Sequence, residues 1–131
     1  MRERDHRLAL IAHKPVAAAA AELAGAPAYR FWPGSARDRL SDLLHGTPAA
    51  LVMSGHVHQY RQLDLGGTQH LWAPTTWAVL PDQVQPVLGT KRCGIVAAEF
   101  TAGDVPKPVL VEPAGLAQLT QTIDIPDRYH R

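Results

Sequence analysis

The stretch Ala50-Leu51-Val52-Met53-Ser54-Gly55-His56-Val57-His58 decides the fold of this chain. Its first half is a short apolar run without alternation, which is typical of a strand covered on both faces in a parallel sheet. Gly55 then lets the backbone turn sharply, and two histidines follow at i and i+2. In an extended chain such a pair points to one side, so both imidazoles can reach one metal cluster. Because ligand sites in open α/β sheets gather at the carboxyl ends of strands, the position predicts a metal site.

A second apolar run, from Leu8 to Ala12, also ends in a histidine, His13. Pro15 follows closely, and because proline cannot donate to a sheet ladder, the strand should end near His13. The two runs therefore look like two buried strands that each present a histidine at the carboxyl end.

Residues 35–45 lie between the two runs and are predicted to form an amphipathic helix, with Ser35 as its N-cap. A strand, a helix and a second strand make a βαβ unit, so strands 8–12 and 50–54 should be parallel. Parallel strands end at the same edge of a sheet. We therefore expect His13, His56 and His58 to converge there, although they are distant in sequence.

The rest of the chain predicts an antiparallel meander. A β-hairpin is expected from Gln59 to Ala73, with its tight turn at Gly66-Gly67, and further strands are expected at 94–100 and 109–111. The aromatic loop 26–34 is interpreted either as a lid over a site or as packing. We expect one partial domain over 1–131, divided into a βαβ unit (1–58), antiparallel strands (59–113) and a tail (114–131).

Composition limits the classes of function. The chain has 46% hydrophobic residues, enough for a core, and a net charge of +1 with histidines neutral, which gives no sign of nucleic-acid or membrane-surface binding. Its single cysteine, Cys93, cannot form an internal disulfide. The run 8–12 is too short for a signal peptide or membrane span, so the expected location is cytoplasmic.

Histidines outside these two runs are interpreted as structural. A lone histidine is more often a surface or core residue than a ligand, and this is the interpretation for His6, His45, His70 and His130.

Metal-binding folds of several known kinds contain a His-x-His pair, and each makes a further demand on the sequence. A metallo-β-lactamase-type site needs Asp and His after the pair, but Gln59 and Tyr60 stand there. A cupin needs a nearby glutamate, an amidohydrolase barrel a much longer chain, and a zinc deaminase a Cys-x-x-Cys pair. None of these patterns is present.

The blocks Ile11-Ala12-His13-Lys14-Pro15 and Val52-Met53-Ser54-Gly55-His56-Val57-His58 resemble the last two metal-binding blocks of the calcineurin-like metallophosphoesterase family. The following hairpin and the exit Pro74-Thr75-Thr76 are also similar, so the resemblance spans roughly residues 8 to 100. It implies that His13 and His56 bind one divalent ion of a dinuclear pair, of Mn, Fe or Zn, and that His58 binds the other. It also implies phosphoester hydrolysis by metal-activated hydroxide.

The earlier blocks of that family, Asp-x-His, Gly-Asp-x-x-Asp and Gly-Asn-His, are missing before His13. The chain is therefore expected to be the C-terminal half of a four-layer α/β/β/α sandwich, an α/β fold, from a truncated gene, an internal start or a split protein. A missing N-terminal half or partner chain would complete it. No catalytic residue is assigned, the substrate-binding residues are not identified, and little or no activity is expected alone. The alternatives are a non-catalytic metal-binding module that uses the same three histidines and an α/β scaffold without metal.

Overall fold

The computed structural model describes residues 7–46, 49–102 and 104–121. It is a mixed α/β structure with a mixed four-stranded sheet and a separate antiparallel pair of strands. The elements in chain order are β1 (Leu8–Ala12), α1 (Ala20–Ala24), α2 (Gly34–Leu44), β2 (Ala49–Ser54), β3 (Arg61–Leu65), β4 (Thr68–Trp72), β5 (Ile95–Ala97) and β6 (Val109–Val111).

The four-stranded sheet has the order β1-β2-β4-β3. Strands β1 and β2 are parallel, with Ala12 opposite Ser54, and this confirms the pairing predicted from the βαβ pattern. Strand β4 lies parallel to β2 on its other side, with Trp72 opposite Ser54. The carboxyl ends of β1, β2 and β4 therefore lie at the same edge of the sheet. His13 follows β1 there, and His56 and His58 follow β2.

The predicted hairpin is confirmed. Strands β3 and β4 are antiparallel, and Leu65 pairs with Thr68 across a two-residue turn. Gly66 and Gly67 have φ angles of 61° and 80°, as a type I′ turn requires at both central positions. The turn sets the register that places Trp72 at the histidine-bearing edge.

Burial separates the two parallel strands. Leu51 and Val52 of β2 are 0% and 1% exposed, so β2 is covered on both faces, as its unbroken apolar run predicts. The same expectation for β1 is wrong, because β1 is an edge strand and Ile11 is 74% exposed. An apolar run does not by itself distinguish a central strand from an edge strand.

Helix α2 confirms the predicted helix, although its N-terminus differs from the prediction. The N-cap is Pro33 rather than Ser35, and no side chain caps the helix. None of its residues is buried. Its apolar residues Leu40 and Leu44 line a cavity of about 630 Å³ that separates the helix from the β3–β4 turn. The apolar face of α2, which includes Leu40 and Leu44, is therefore only partly packed against other elements.

The core next to the histidine-bearing edge is formed by Ala18, Phe31, Val57 and Trp72. The Phe31 and Trp72 rings lie 5.7 Å apart between centroids, and Trp72 Nε1 donates to the Ala17 carbonyl at 3.2 Å. Phe31 of the aromatic loop is thus a packing residue. Trp77, which lies outside this loop and after β4, is 60% exposed. These contacts attach the loop before α2 to the edge of the sheet.

The second, smaller sheet confirms the predicted pairing of the late strands. Strand β5 lies antiparallel to β6 through Ile95–Val111, Val96–Leu110 and Ala97–Val109. Cys93, immediately before this sheet, is a free and fully buried thiol. Its backbone N–H and carbonyl both bond to the Gln118 side chain, which fixes the start of the tail. Among the described residues, no helix is long and apolar enough to cross a membrane.

Candidate metal centre

His13 and His56 meet at the carboxyl edge of the sheet, as the topology predicts. His13 follows β1 directly, and its carbonyl accepts a hydrogen bond from Gly55 N at 2.9 Å, which ties the two loops together. The His13 Nε2 and His56 Nδ1 atoms lie 3.1 Å apart, and the ring planes are inclined at 67°. Two imidazoles that are 43 positions apart in sequence thus face each other through ring nitrogens.

This separation suits two ligands of a shared ion. Two nitrogens that each lie 2.0–2.1 Å from a tetrahedral metal are about 3.3 Å from each other. The observed 3.1 Å is close to that value, and it is also a normal hydrogen-bond length. The contact is therefore a hydrogen bond when a proton lies between the two nitrogens. Only a small increase in the distance between the nitrogens would let both of them bind one metal ion.

A backbone carbonyl fixes the tautomer of His56. His56 Nε2 lies 2.9 Å from the Tyr29 carbonyl oxygen, which can only accept, so the proton is on Nε2. The Nδ1 lone pair is then directed at His13. A second hydrogen bond of this kind is usual for metal-bound histidine, because it orients the ring and raises the basicity of the ligand nitrogen.

His58 is oriented in the same way but by another loop. Its Nδ1 donates to the Ala78 carbonyl at 2.8 Å, which leaves the lone pair on Nε2. No three His, Cys, Asp or Glu side chains in the described ranges form a group that could hold a metal ion. The structure thus brings His13 and His56 together and orients His58 separately, and the three-histidine ligand set stays a prediction.

The backbone at this turn is unusual. His56 and His58 have φ angles of 69° and 55°, the only positive values at non-glycine positions in the described part of the chain. The expectation of an extended His-x-His segment is therefore wrong. Such left-handed residues cost about 1–3 kcal/mol each and are enriched at functional sites. The fully buried Val57 between them anchors the strained turn in the core.

Gly55 does not carry the conformational requirement that the sequence pattern indicates. It is not among the glycines with positive φ. A Cβ atom there would meet only the His13 carbonyl oxygen, at an ordinary 3.9 Å. The sharp change of direction is made by the histidines themselves.

The electrostatic surroundings of His56 are basic. Its pKa is lowered from the usual value, first by burial, and the hydrogen bond to the Tyr29 carbonyl partly opposes this. His13, Lys14 and His58 lower the pKa of His56 further, and no acidic group within the described ranges is among the charges that shift it. The imidazole is thus kept in the neutral form that binds metals, in a local field that attracts anions.

Gln59 is a residue whose role the sequence does not reveal. It is fully buried, and its Oε1 accepts hydrogen bonds from Leu88 N and Gly89 N at 2.7 and 2.8 Å. Its Nε2 donates to Gln85 Oε1 and to the Pro86 carbonyl. Gln59 thereby fastens the proline-rich connection beneath the histidine turn. The only signal in the sequence is an uncharged polar residue directly after the histidine pair.

Of the remaining histidines, the two that the structure describes, His45 and His70, lie apart from this pair. His45 is exposed at the end of α2, and His6 and His130 lie outside the described residues. His70 lies on β4, where its Nδ1 is buried without a hydrogen-bond partner and its pKa is lowered mainly by burial. These positions agree with the structural interpretation given to His45 and His70.

Comparisons with known proteins give no match: no family model, no curated protein and no solved structure matches this chain.

Proposed function

We propose that this chain is the histidine-bearing C-terminal half of a calcineurin-like, metal-dependent phosphoesterase that hydrolyses phosphate mono- or diesters. The observation that carries the proposal is the contact of His13 Nε2 with His56 Nδ1 at 3.1 Å, at the ends of two parallel strands. The Tyr29 carbonyl, 2.9 Å from His56 Nε2, supports it because it leaves the facing nitrogen free to bind an ion.

The edge position of β1 supports the proposal that the sandwich is incomplete. Among the described residues, strand β1 has one partner, β2, and its Ile11 side chain is 74% exposed. A further parallel strand would pair with the free backbone groups of β1, pack beside Ile11 and end next to His13. A missing N-terminal half, or a partner chain, would supply such a strand.

His13, His56 and His58 would hold the metal in this proposal. A bound divalent ion supplies Lewis acidity toward the phosphoryl oxygen and lowers the pKa of its water. The chain contributes ring orientation through Tyr29 and Ala78 and a basic field around His56. Two closely spaced cations need negative ligands between them, and no acidic group in the described part of the chain acts on the pKa of His56. We therefore expect the chain alone to turn over slowly or not at all.

Metal content and phosphodiesterase assays test the proposal. After dialysis against Mn²⁺ or Zn²⁺, the wild-type chain should retain metal, and His56→Asn should lose most of it. His45→Asn is the matched control, because His45 is an exposed histidine away from the pair. Retention of equal metal by His56→Asn would contradict the assignment. Mn²⁺-dependent cleavage of a bis-aryl phosphate that is lost in His56→Asn would support the enzyme.

The lack of an acidic group acting on His56, among the residues that the structure describes, favours a second candidate, a metal-binding module without turnover. It would retain one ion and cleave no phosphate ester, even with Mn²⁺ and after addition of an N-terminal half from a complete phosphoesterase. A plain scaffold would differ from both, because it would retain no metal and its thermal unfolding would not respond to chelator.

A further inference from the structure

The carbonyl that orients His58 belongs to a peptide unit that is held on both sides. On one side, the Ala78 carbonyl accepts the hydrogen bond from His58 Nδ1 at 2.8 Å. On the other side, the N–H of the same peptide unit, which is that of Val79, donates to the Leu119 carbonyl at 2.9 Å. Because a trans peptide unit is planar, its C=O and N–H point in opposite directions and rotate together. The orientation of the carbonyl toward His58 therefore depends on the bond to Leu119.

The tail segment 118–121 continues this pairing as a short parallel bridge. Thr120 lies opposite Val79, and Gln121 N donates to the Val79 carbonyl at 2.8 Å. Ala78 and Val79 are only 3% and 9% exposed, and buried backbone groups need a hydrogen-bond partner. The tail segment supplies that partner to both the N–H and the carbonyl of Val79.

The side chain of Gln118 attaches the tail segment to the core. Its Oε1 accepts from Cys93 N at 2.7 Å, and its Nε2 donates to the Cys93 carbonyl at 2.8 Å. Cys93 is fully buried, and its Sγ lies 3.5 Å from the Trp77 carbonyl oxygen and 3.8 Å from the Leu119 carbonyl oxygen. Gln118 thus holds Leu119 in place through a residue that also contacts the chain just before Ala78.

We propose that Gln118 is a positioning residue for His58 and acts through the Ala78–Val79 peptide unit. The Leu119 carbonyl, this peptide unit and the imidazole form a chain of hydrogen bonds, in which each bond polarises and strengthens the next. A strong acceptor at Ala78 keeps the His58 proton on Nδ1 and leaves the lone pair of Nε2 available. The selection of this tautomer follows from the hydrogen bonds alone, whereas its use in binding a metal ion rests on the proposed function.

NMR of the ¹⁵N-labelled imidazole rings in the full, metal-free chain tests the proposal. At about pH 8.5 histidines are neutral, and the shifts of the two ring nitrogens give the ratio of the Nδ1–H to the Nε2–H form. For His58 this ratio should fall about twofold to tenfold in Gln118→Ala, as expected for the loss of about one hydrogen bond. Gln83→Ala, at an exposed glutamine outside the tail, should match the wild type. His56, whose proton is held by the Tyr29 carbonyl, should not change in either variant.

A second variant acts on the same bridge without altering Gln118. Gln121→Pro removes the N–H that donates to the Val79 carbonyl, so it should lower the His58 ratio in the same direction. It decides the question if Gln118→Ala does not fold. An equal His58 ratio in the wild type and the folded tail variants would overturn the proposal, as would a wild-type His58 with its proton on Nε2. A similar change at His56 would also overturn it, because a general loosening of the structure would then be the cause.

Metal titration separates this inference from the proposed function. With His58 as a ligand, Gln118→Ala should bind Zn²⁺ about twofold to tenfold more weakly than Gln83→Ala, because the ring is oriented less well. A changed His58 tautomer with unchanged Zn²⁺ affinity would confirm the positioning role of Gln118 and would contradict the assignment of His58 as a ligand.

Discussion

His56 and His58 each form a hydrogen bond to a backbone carbonyl through one ring nitrogen. The two carbonyls, of Tyr29 and Ala78, belong to loops that are distant from the histidines in sequence. They select which nitrogen of each ring is available to a ligand. The spacing His-x-His can predict a pair of candidate ligands, but it cannot predict this choice, because the selecting groups are main-chain atoms that carry no sequence signature.

At the residue scale, His70 makes stability depend on pH. Its folded pKa is lowered by burial, which outweighs the opposing effect of Asp64. The unfolded chain, with a histidine pKa of about 6.5, then binds more protons than the folded chain at mildly acidic pH. We expect the free energy of unfolding to fall as the pH drops below that value toward the folded pKa.

Urea denaturation of wild type and His70→Gln at pH 7.5 and pH 5.5 measures this effect. The loss of stability at the lower pH should be smaller in His70→Gln and unchanged in His45→Gln. Part of the loss should persist in His70→Gln, because burial lowers the pKa of His56 as well. An identical pH dependence in all three proteins would rule out the role of His70.

Gln59 gives a second prediction at this scale. Gln59→Ala removes four hydrogen bonds and leaves Leu88 N, Gly89 N and Gln85 Oε1 without these partners. We expect a loss of about 2–4 kcal/mol in the free energy of unfolding, measured by urea denaturation. Gln83→Ala, at an exposed glutamine of the same connection, should change it by less than about 0.5 kcal/mol. Similar losses of unfolding free energy in Gln59→Ala and Gln83→Ala would show that the hydrogen bonds of the Gln59 side chain are not important for stability.

At the element scale, local chemistry accounts for what could be predicted. The hairpin followed from Gly66-Gly67 between two strand-like runs, and the β1–β2 pairing followed from strand, helix and strand in sequence. The exposure of β1 could not be predicted, because it depends on which strand lies beside it. The left-handed conformation of the histidine turn could not be predicted either, since histidine adopts positive φ more often than most residues but still in only a small minority of cases.

The β3–β4 turn allows a clean test of backbone conformation. A Cβ at Gly66 would meet nothing within 4 Å, so substitution there changes only the conformational energy. Gly66→Val should lower the free energy of unfolding by about 1–2 kcal/mol, because φ is positive. Gly66→Asn should be nearly neutral, since Asn-Gly is a preferred type I′ pair. Equal effects of valine and asparagine in thermal unfolding would argue against the assigned turn type.

At the scale of the whole molecule, topology gave the most informative prediction. The parallel arrangement placed His13 and His56 at one edge, and their ring nitrogens are in contact. The same reasoning could not find the Tyr29 carbonyl, because it comes from an irregular loop whose path is set by packing on Trp72. Sequence pattern therefore identifies the candidate ligands that follow strands and misses the groups that loops bring to them.

The open edge of the sheet gives a prediction for the molecule as a whole. An exposed apolar edge strand is a site of self-association unless another strand covers it. Ile11→Lys should change the free energy of unfolding by less than about 0.5 kcal/mol and should reduce association measured by light scattering. Leu51→Ala, at a fully buried position, should instead cost about 2–5 kcal/mol. A strong loss of stability in Ile11→Lys would mean that this edge is already covered.

The wide sequence separation of the two facing imidazoles also has a kinetic consequence. The β3–β4 hairpin closes over a two-residue turn, whereas His13 and His56 are 43 positions apart. Local contacts form early because little chain entropy is lost in closing them, and long-range parallel pairing comes later. During refolding the imidazole pair should therefore be among the last features to assemble. Metal uptake by this pair would then report the fully folded chain rather than a folding intermediate.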